Sequence, residues 1–218
     1  MLRMEPTSHH RAGQESAASE DAALVARARR EPERPALQAL YLRYEREVFR
    51  FLLRLTGDRD VAEDALQETF VLVQRGLGRY DTDRPFRPWL LSVARNAGLN
   101  ALRARRKSGA PLPTDEEALP TTPPADDPER REQHARTTQA LAALPDEARG
   151  LLLQRHALDM TLDELAESWS CSEKTIRNRL AKAGEELARA LLARRTNPSP
   201  RGLGGAAGDP GRPLGGAP

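Results

Sequence analysis

The stretch that decides the fold is TLDELAESWSCSEKTIRNRLAKAGEEL, residues 161–187. Its apolar residues recur at helical spacing on both sides of Ser170-Cys171, a pattern typical of two helices joined by a tight turn. Ser172, directly after this pair, can cap the second helix by accepting a hydrogen bond from the amide of Thr175. The stretch therefore predicts a helix-turn-helix, a motif whose second helix enters the major groove of DNA.

The two predicted helices bury one side against each other, and the second helix also has an outward side. We expect a shared buried side made of Leu162, Leu165, Ala166, Trp169, Ile176 and Leu180. The outward side of the second helix presents cations and an amide, which hold phosphates and reach base edges. Ser170 stands where this motif often has glycine, so we expect strain in the turn. A helical hairpin that binds a protein has the same pattern and stays open as an alternative.

Composition divides the 218 residues into five segments. Residues 20–107 carry more bases than acids, and residues 139–195 carry equal numbers of both. Residues 108–138, between them, are acidic and rich in proline, as in a linker. Residues 1–19 are predicted to be a disordered leader, and residues 196–218 a disordered tail rich in glycine and proline. The composition predicts two small domains joined by an acidic, proline-rich linker.

Composition also excludes several classes of protein. The chain has one cysteine, so an intramolecular disulfide framework and a cysteine-cluster metal site are excluded. No apolar run approaches the ~18 residues of a membrane span, so we expect no membrane insertion. The N-terminus lacks the apolar segment of a secretory signal. We therefore expect a cytoplasmic protein.

Both predicted domains are expected to be all-α. Helix formers dominate the sequence, and apolar residues do not alternate with polar ones as they do in strands. Gly57 and Asp58 are suited to end one helix and to cap the next. The predicted helices cover residues 20–30, 34–56, 60–77, 85–106, 137–143, 146–157, 162–169 and 173–194.

The helix predicted over residues 60–77 is amphipathic. Its buried side is expected to hold Ala62, Ala65, Leu66, Thr69, Phe70, Leu72, Val73 and Leu77. The opposite side carries carboxylates and amides around one apolar residue, Val71. Such a face is either an ordinary solvated surface or a docking surface for a basic helix, and the periodicity alone leaves both interpretations open.

A basic segment with two aromatic residues follows, DTDRPFRPWLLSVARNAGLNALRARRK (81–107). Cations hold phosphates, amides read base edges and aromatic rings accept unstacked bases, so this segment has the chemistry that binds single-stranded nucleic acid. The alternative is a set of buried aromatic residues beside a solvated helix end. We expect core packing, rather than contact with nucleic acid, for Trp89, Leu90, Val93 and Leu99.

Taken together, the chain resembles the extracytoplasmic-function (ECF) sigma factors, the smallest sigma subunits of bacterial RNA polymerase. Three stretches in the family's order carry the resemblance: YLRYEREVFRFLLRLTGDRDVAEDALQETF (41–70), PFRPWLLSVARN (85–96) and ALAALPDEARGLLLQRHALDMTLDELAESWSCSEKTIRNRLAKAGEEL (140–187). The resemblance implies two helical domains, named sigma-2 and sigma-4.

The resemblance also implies a role for each surface. The helix over 60–77 would dock on the β′ clamp coiled coil of core RNA polymerase through Asp60, Asp64, Gln67, Glu68 and Val71. The segment after it would recognise and melt the −10 element through Tyr80, Arg84, Phe86, Arg87, Trp89, Arg95, Asn96, Asn100 and Arg103. The second helix of the helix-turn-helix would read the −35 element as duplex DNA through Ser172, Lys174, Thr175, Arg177, Asn178, Arg179 and Lys182.

Further partners follow from the same resemblance. The sigma-4 domain would also contact the β flap, and the linker 108–138 would thread towards the RNA exit channel. An anti-sigma factor would cover the polymerase-binding and DNA-binding surfaces of the free protein. The resemblance therefore implies a subunit that gives RNA polymerase its promoter specificity.

The implied mechanism is recognition, so no catalytic residue, metal or cofactor is expected. The four histidines do not form metal-ligand spacings with Cys171, and the sequence has no glycine-rich phosphate loop. A stand-alone helix-turn-helix regulator that binds operator DNA is the alternative, and a module that binds acidic proteins is a third possibility. The acidic face of the helix 60–77 discriminates against a regulator, which has no use for it.

Overall fold

A computed structural model describes residues 8–30, 35–108 and 128–196, and within these ranges all regular structure is helical. The α-helices, numbered in chain order, are α1 (Ser8–Arg30), α2 (Pro35–Thr56), α3 (Arg59–Gly76), α4 (Phe86–Lys107), α5 (Pro128–Ala142), α6 (Asp146–His156), α7 (Leu162–Ser168) and α8 (Glu173–Thr196). A short 3₁₀ turn, Leu77–Arg79, follows α3. The all-α class is confirmed. None of these helices is long and apolar enough to cross a lipid bilayer.

The helices differ from the predicted ones chiefly at two N-termini. Helix α1 begins at Ser8, so residues 8–19 are helical where we predict a disordered leader. Helix α5 begins at Pro128, inside the predicted linker. Apolar periodicity marks only the parts of a helix that pack, whereas Ala, Glu, Gln and Arg extend a helix beyond them. The rest of the linker, 109–127, and the tail from residue 197 lie outside the described residues.

A glycine and an aspartate separate α2 from α3, as predicted. Gly57 has a φ of +71°, a left-handed conformation that glycine adopts without a steric penalty. Asp58 accepts a hydrogen bond from the amide of Val61 at 2.9 Å and forms an ion pair with Arg105 of α4. Burial opposes the charge of Asp58, but these two hydrogen bonds hold its pKa below the ordinary value. The cap thereby ties the start of α3 to the end of α4.

The N-terminal half of the protein, α1–α4, and the C-terminal half, α5–α8, share an apolar core. The cluster formed by α2, α3 and α4 continues into the C-terminal half through Leu151, Leu153, Leu158, Met160, Leu165 and Ile176. Gln154 of α6 is fully buried, and its amide donates a hydrogen bond to the backbone carbonyl of Leu91 on α4 at 3.3 Å. The two halves are therefore packed against each other.

Helices α2 and α4 cross closely at Gly98 of α4. A Cβ atom at this position would lie 2.8 Å from Leu55 and 2.9 Å from Leu52, which are both fully buried on α2. Carbon atoms do not pack this closely, so any larger residue here has to displace these leucines. Glycine costs about 1 kcal/mol in a helix relative to alanine, and the close approach of α2 offsets that cost.

We expect Gly98→Val to lower the free energy of unfolding by about 2 kcal/mol, because its methyl groups would overpack the contact with Leu52 and Leu55. Gly184→Ala on α8 is the matched control, since a Cβ there would meet no atom within 4 Å. The control should raise the free energy by up to about 1 kcal/mol through helix propensity. Urea unfolding followed by circular dichroism measures both. A Gly98→Val chain as stable as the parent would contradict this packing.

Candidate nucleic-acid and protein interfaces

The outer face of α3 is acidic and exposed. Asp60, Asp64, Gln67 and Glu68 are all exposed, and the side chain of Val71 is 39% exposed among them. The opposite side is buried as the helical period predicts, through Ala62, Ala65, Leu66, Thr69 and Val73, while Phe70 and Leu72 are half-buried. An apolar side chain within a ring of carboxylates and amides suits a partner helix that is basic and partly apolar.

The aromatic residues before and within α4 form a packed cluster. The ring centroid of Tyr80 lies 4.7 Å from that of Trp89 and 5.8 Å from that of Phe86. Phe86 is buried, and Trp89 is half-buried and packs against the core. Burial raises the pKa of Tyr80 to about 12, and its hydroxyl donates a hydrogen bond to the carbonyl of Arg84. The loop 81–85, between Tyr80 and Phe86, is exposed.

Arg95 of α4 is held by the C-terminal half. Its residue is 6% exposed, and its guanidinium carbon lies 4.2 Å from the ring centroid of Trp169. The guanidinium also donates hydrogen bonds to the hydroxyl of Ser168 at 3.1 Å and to its carbonyl at 3.0 Å. Burial lowers the pKa of Arg95 to about 10. Contacts of this kind replace part of the water that a buried guanidinium loses.

Two other arginines of the predicted −10 surface contact the C-terminal half. Arg87 donates a hydrogen bond to the carbonyl of Leu158 at 2.8 Å and forms an ion pair with Glu47 of α2. Arg84 in the exposed loop reaches Glu167 of α7 across the same boundary. The C-terminal half therefore covers part of this surface.

The remaining predicted −10 residues stay in solvent. Asn96, Asn100 and Arg103 lie on α4 and are exposed. The side-chain carbonyl of Asn100 accepts a hydrogen bond from Arg103 at 3.0 Å, and the guanidinium of Arg103 lies 3.7 Å from the carboxylate of Glu147. The predicted set thus divides into polar residues exposed on α4, arginines held by the C-terminal half, and packed aromatic residues. Arg103 is exposed and also reaches Glu147 of the C-terminal half.

The helix-turn-helix of α7 and α8 begins with a capping box. The hydroxyl of Thr161 accepts from the amide of Glu164, whose carboxylate accepts from the amide of Thr161. The strain expected in the turn is found at Ser170, whose φ is +49°; such a conformation costs a residue with a side chain about 1 kcal/mol. Ser172 caps α8 as predicted, accepting from the amide of Thr175 at 3.2 Å.

The outward side of α8 is available to a ligand. Ile176 is fully buried and Leu180 half-buried on the inner side, as predicted. Thr175 is half-buried, and the exposed residues of the predicted set are Ser172, Lys174, Arg177, Asn178, Arg179 and Lys182. Cations and an amide on the first turns of such a helix can hold phosphates and read base edges.

Sequence reasoning missed the polar contacts that link α4, α6 and the end of α7. Trp169 is predicted only as a buried residue of the helix-turn-helix, yet its indole donates a hydrogen bond to the side-chain carbonyl of Gln154 at 2.8 Å. Gln154 stands at the end of the apolar run LLLQ, residues 151–154. A polar residue in such a run is a signal of a buried hydrogen-bond partner. Among the described residues, no three His, Cys, Asp or Glu side chains are grouped to hold a metal ion.

The contact between Arg95 and Trp169 can be measured by a double-mutant cycle. We expect Arg95→Leu and Trp169→Leu to show a coupling free energy of about 1 kcal/mol, because each variant removes one partner of the same buried contact. The control pair is Arg103→Leu with Trp169→Leu, which should be additive within about 0.5 kcal/mol. Urea unfolding of the full chain gives all the values. Equal coupling in the two pairs would contradict the packing of α7 on α4.

Two regions of the chain match family models of known proteins. The family model of Sigma-70 region 2 matches residues 40–108, and that of Sigma-70, region 4 matches residues 134–187. The ECF RNA polymerase sigma factor SigM of Bacillus subtilis is 30% identical over 167 residues, which cover 74% of this chain and 98% of that protein.

Solved structures share the fold. CnrH, solved in complex with the cytosolic domain of CnrY, matches with a TM-score of 0.60 and 24% identity over 79% of this chain and 97% of that chain. The sigma factor RpoE of Bartonella quintana, solved in complex with the anti-sigma factor NepR, matches with a TM-score of 0.53 and 19% identity over 71% and 96%. With both sigma regions matched in order and a relative aligned over nearly its whole length, the chain belongs to the extracytoplasmic-function sigma factors of bacterial RNA polymerase.

Proposed function

We propose that this ECF sigma factor divides promoter recognition between residues 20–107 and residues 139–195. The first segment binds core RNA polymerase and opens the −10 element, and the second holds the −35 element as duplex DNA. The proposal is supported by the positions of the two family matches along the chain. Region 2 contains the acidic face of α3 and the aromatic, basic segment, and region 4 contains the helix-turn-helix.

The outer face of α3 is the proposed contact with the β′ clamp coiled coil. Its exposed carboxylates and amides complement a basic helix, and Val71 supplies an apolar centre that loses water on contact. The proposed contact residues are Asp60, Asp64, Gln67, Glu68 and Val71. The β flap is the second proposed contact with the polymerase. It would be made by the C-terminal half, which contains the region-4 match.

Opening of the −10 element is proposed to come from binding energy alone. Sigma factors are transcription initiation factors and not enzymes, and the polymerase carries out the chemistry. A protein opens DNA when it binds an unstacked base and the adjacent phosphates more tightly than it binds the duplex. The loop from Tyr80 to Pro88 would hold the base, while Asn96, Asn100 and Arg103 would lie on the adjacent DNA.

This proposal requires the two halves to separate at the promoter. Arg95 is covered by Trp169 and Ser168, and Arg87 donates to the carbonyl of Leu158, so neither guanidinium is free to reach DNA while the halves are packed. A −10 strand that engages these arginines must offset the free energy of that packing.

The region-4 half is proposed to bind the −35 element through α8. The residues proposed for this contact are Ser172, Lys174, Thr175, Arg177, Asn178, Arg179 and Lys182. The linker 108–138 is proposed to run towards the RNA exit channel, because its net negative charge resembles the charge of RNA. We place the protein in the cytoplasm, with an anti-sigma factor as its restraint, a proposal supported by the likeness to a fold solved with an anti-sigma factor.

Run-off transcription with core RNA polymerase tests the function directly. Templates drawn from a random promoter pool should give defined transcripts only when this protein is added, because core polymerase by itself does not select start sites. Template binding by the protein without core polymerase would instead support the stand-alone regulator. Absence of any protein-dependent transcript and of any association with core polymerase would overturn the assignment.

A charge reversal tests the proposed clamp contact. Glu68→Lys should weaken binding to core polymerase at least about tenfold, because it places a cation against a basic partner. Glu20→Lys on α1 is the control, since Glu20 is also an exposed helical glutamate and lies outside both the α3 face and the linker. Fluorescence anisotropy of labelled full-length protein measures both affinities. An unchanged affinity of the Glu68→Lys variant would remove α3 from the contact.

A further inference from the structure

Helix α1 packs on the region-2 bundle although it lies outside the region-2 match, which begins at residue 40. Val25 of α1 is fully buried, and Asp21 is 2% exposed. The hydroxyl of Tyr44 on α2 donates a hydrogen bond to Asp21, and the guanidinium of Arg43 lies 3.3 Å from the same carboxylate. These contacts fix α1 against α2. The C-terminal end of α1 is therefore held in a fixed position on the bundle.

At that end, Arg29 is bonded to the backbone that leads into the −10 loop, the segment Tyr80–Pro88 proposed above to hold the base. Its Nε donates a hydrogen bond to the carbonyl of Leu77 at 2.8 Å, and its Nη2 donates to the carbonyl of Tyr80. The guanidinium carbon lies 6.0 Å from the ring centroid of Tyr80. One side chain thus contacts both the 3₁₀ turn and the first residue of the loop.

The contacts of this loop with the C-terminal half, Arg84 with Glu167 and Arg87 with the carbonyl of Leu158, are lost when the halves separate. Residues 81–85 are exposed, and the amide of Asp83 donates a hydrogen bond to the Asp81 carboxylate at 3.1 Å, a contact within the loop. The hydroxyl of Tyr80 donates to the carbonyl of Arg84 and so closes the loop on itself. Once the halves separate, the position of the exposed residues 81–85 therefore depends on how Tyr80 before them and the buried Phe86 after them are held.

We propose that Arg29 is a positioning residue for −10 recognition: it fixes the backbone at Leu77 and Tyr80, and thereby the loop that captures the base. Arg29 acts through these carbonyls and does not itself contact DNA. The inference rests on the proposed role of the loop. A binding loop that is ordered before its ligand arrives does not have to lose that freedom on binding, which favours capture of the base.

The geometry favours arginine over lysine at this position. A guanidinium presents donors in a planar fork and can serve two carbonyls at once, whereas the ammonium of lysine is a point donor on a flexible stem. The neighbouring Arg27 is also exposed on α1, but it makes neither of these hydrogen bonds. Arg27→Ala is therefore a matched control that removes the same charge from the same helix.

The experiment uses full-length protein, core RNA polymerase and a promoter that the native holoenzyme selects from a random pool. Arg29→Ala should lower the yield of open complexes, read as permanganate reactivity of unpaired thymines, by about tenfold. Arg29→Lys should lie between Arg29→Ala and the native protein. Arg27→Ala should match the native protein, and all variants should bind core polymerase equally. The preference for the selected −10 sequence over a single-base variant should shrink only in the Arg29 variants.

A second measurement separates this inference from the proposed function. Amide hydrogen exchange in the free chain should quicken in residues 77–85 of Arg29→Ala, while the rest of α3 and α4 keeps its protection. Unchanged exchange in this segment, or open complexes at the native yield, would overturn the inference even where the native protein initiates transcription normally. A native protein that directs no transcription would overturn the proposed function, and the exchange measurement would still decide whether Arg29 holds the loop.

Discussion

The contact of Arg95 with Trp169 is the interaction on which the arrangement of the two halves depends. A guanidinium that is 6% exposed has lost most of its water, and this is tolerated only where hydrogen bonds and an aromatic face replace it. Ser168 and Trp169 supply both, and Gln154 links the indole of Trp169 to the backbone of Leu91 on α4. This polar chain, set in an apolar contact, has few alternative arrangements and fixes how α7 lies on α4.

The packed arrangement leaves the three proposed surfaces unequally available. The outer face of α3 and the outward side of α8 are exposed, whereas Arg95 and the aromatic rings of Tyr80 and Phe86 are buried. In the proposed function, contact with the polymerase can therefore come before the halves separate. The step that engages the −10 strand must then supply the free energy that separates the halves. Opening therefore depends on a −10 strand that binds tightly to the protein.

Local physical chemistry accounts for most of what could be predicted. The buried side of α3, the glycine and aspartate between α2 and α3, and the Ser172 cap all follow from contacts within about four residues, and the structure contains each of them. The same reasoning missed the starts of α1 and α5, because their first turns carry helix-favouring residues without an apolar period. The family resemblance implies Tyr80 and Phe86 as DNA contacts, and that stays a prediction, because residue type alone does not distinguish a ring that receives a base from one that fills a core.

The sequence by itself determined the helices, the exposed acidic face of α3 and the helix-turn-helix, because each is a regular pattern of neighbours along the chain. Only the tertiary structure decided that Arg95 lies beneath Trp169, which is 74 positions later, and that Arg29 is bonded to the carbonyl of Tyr80. Contacts over such separations depend on how whole helices cross, and the crossing is set by close packing, as at Gly98, rather than by any local propensity.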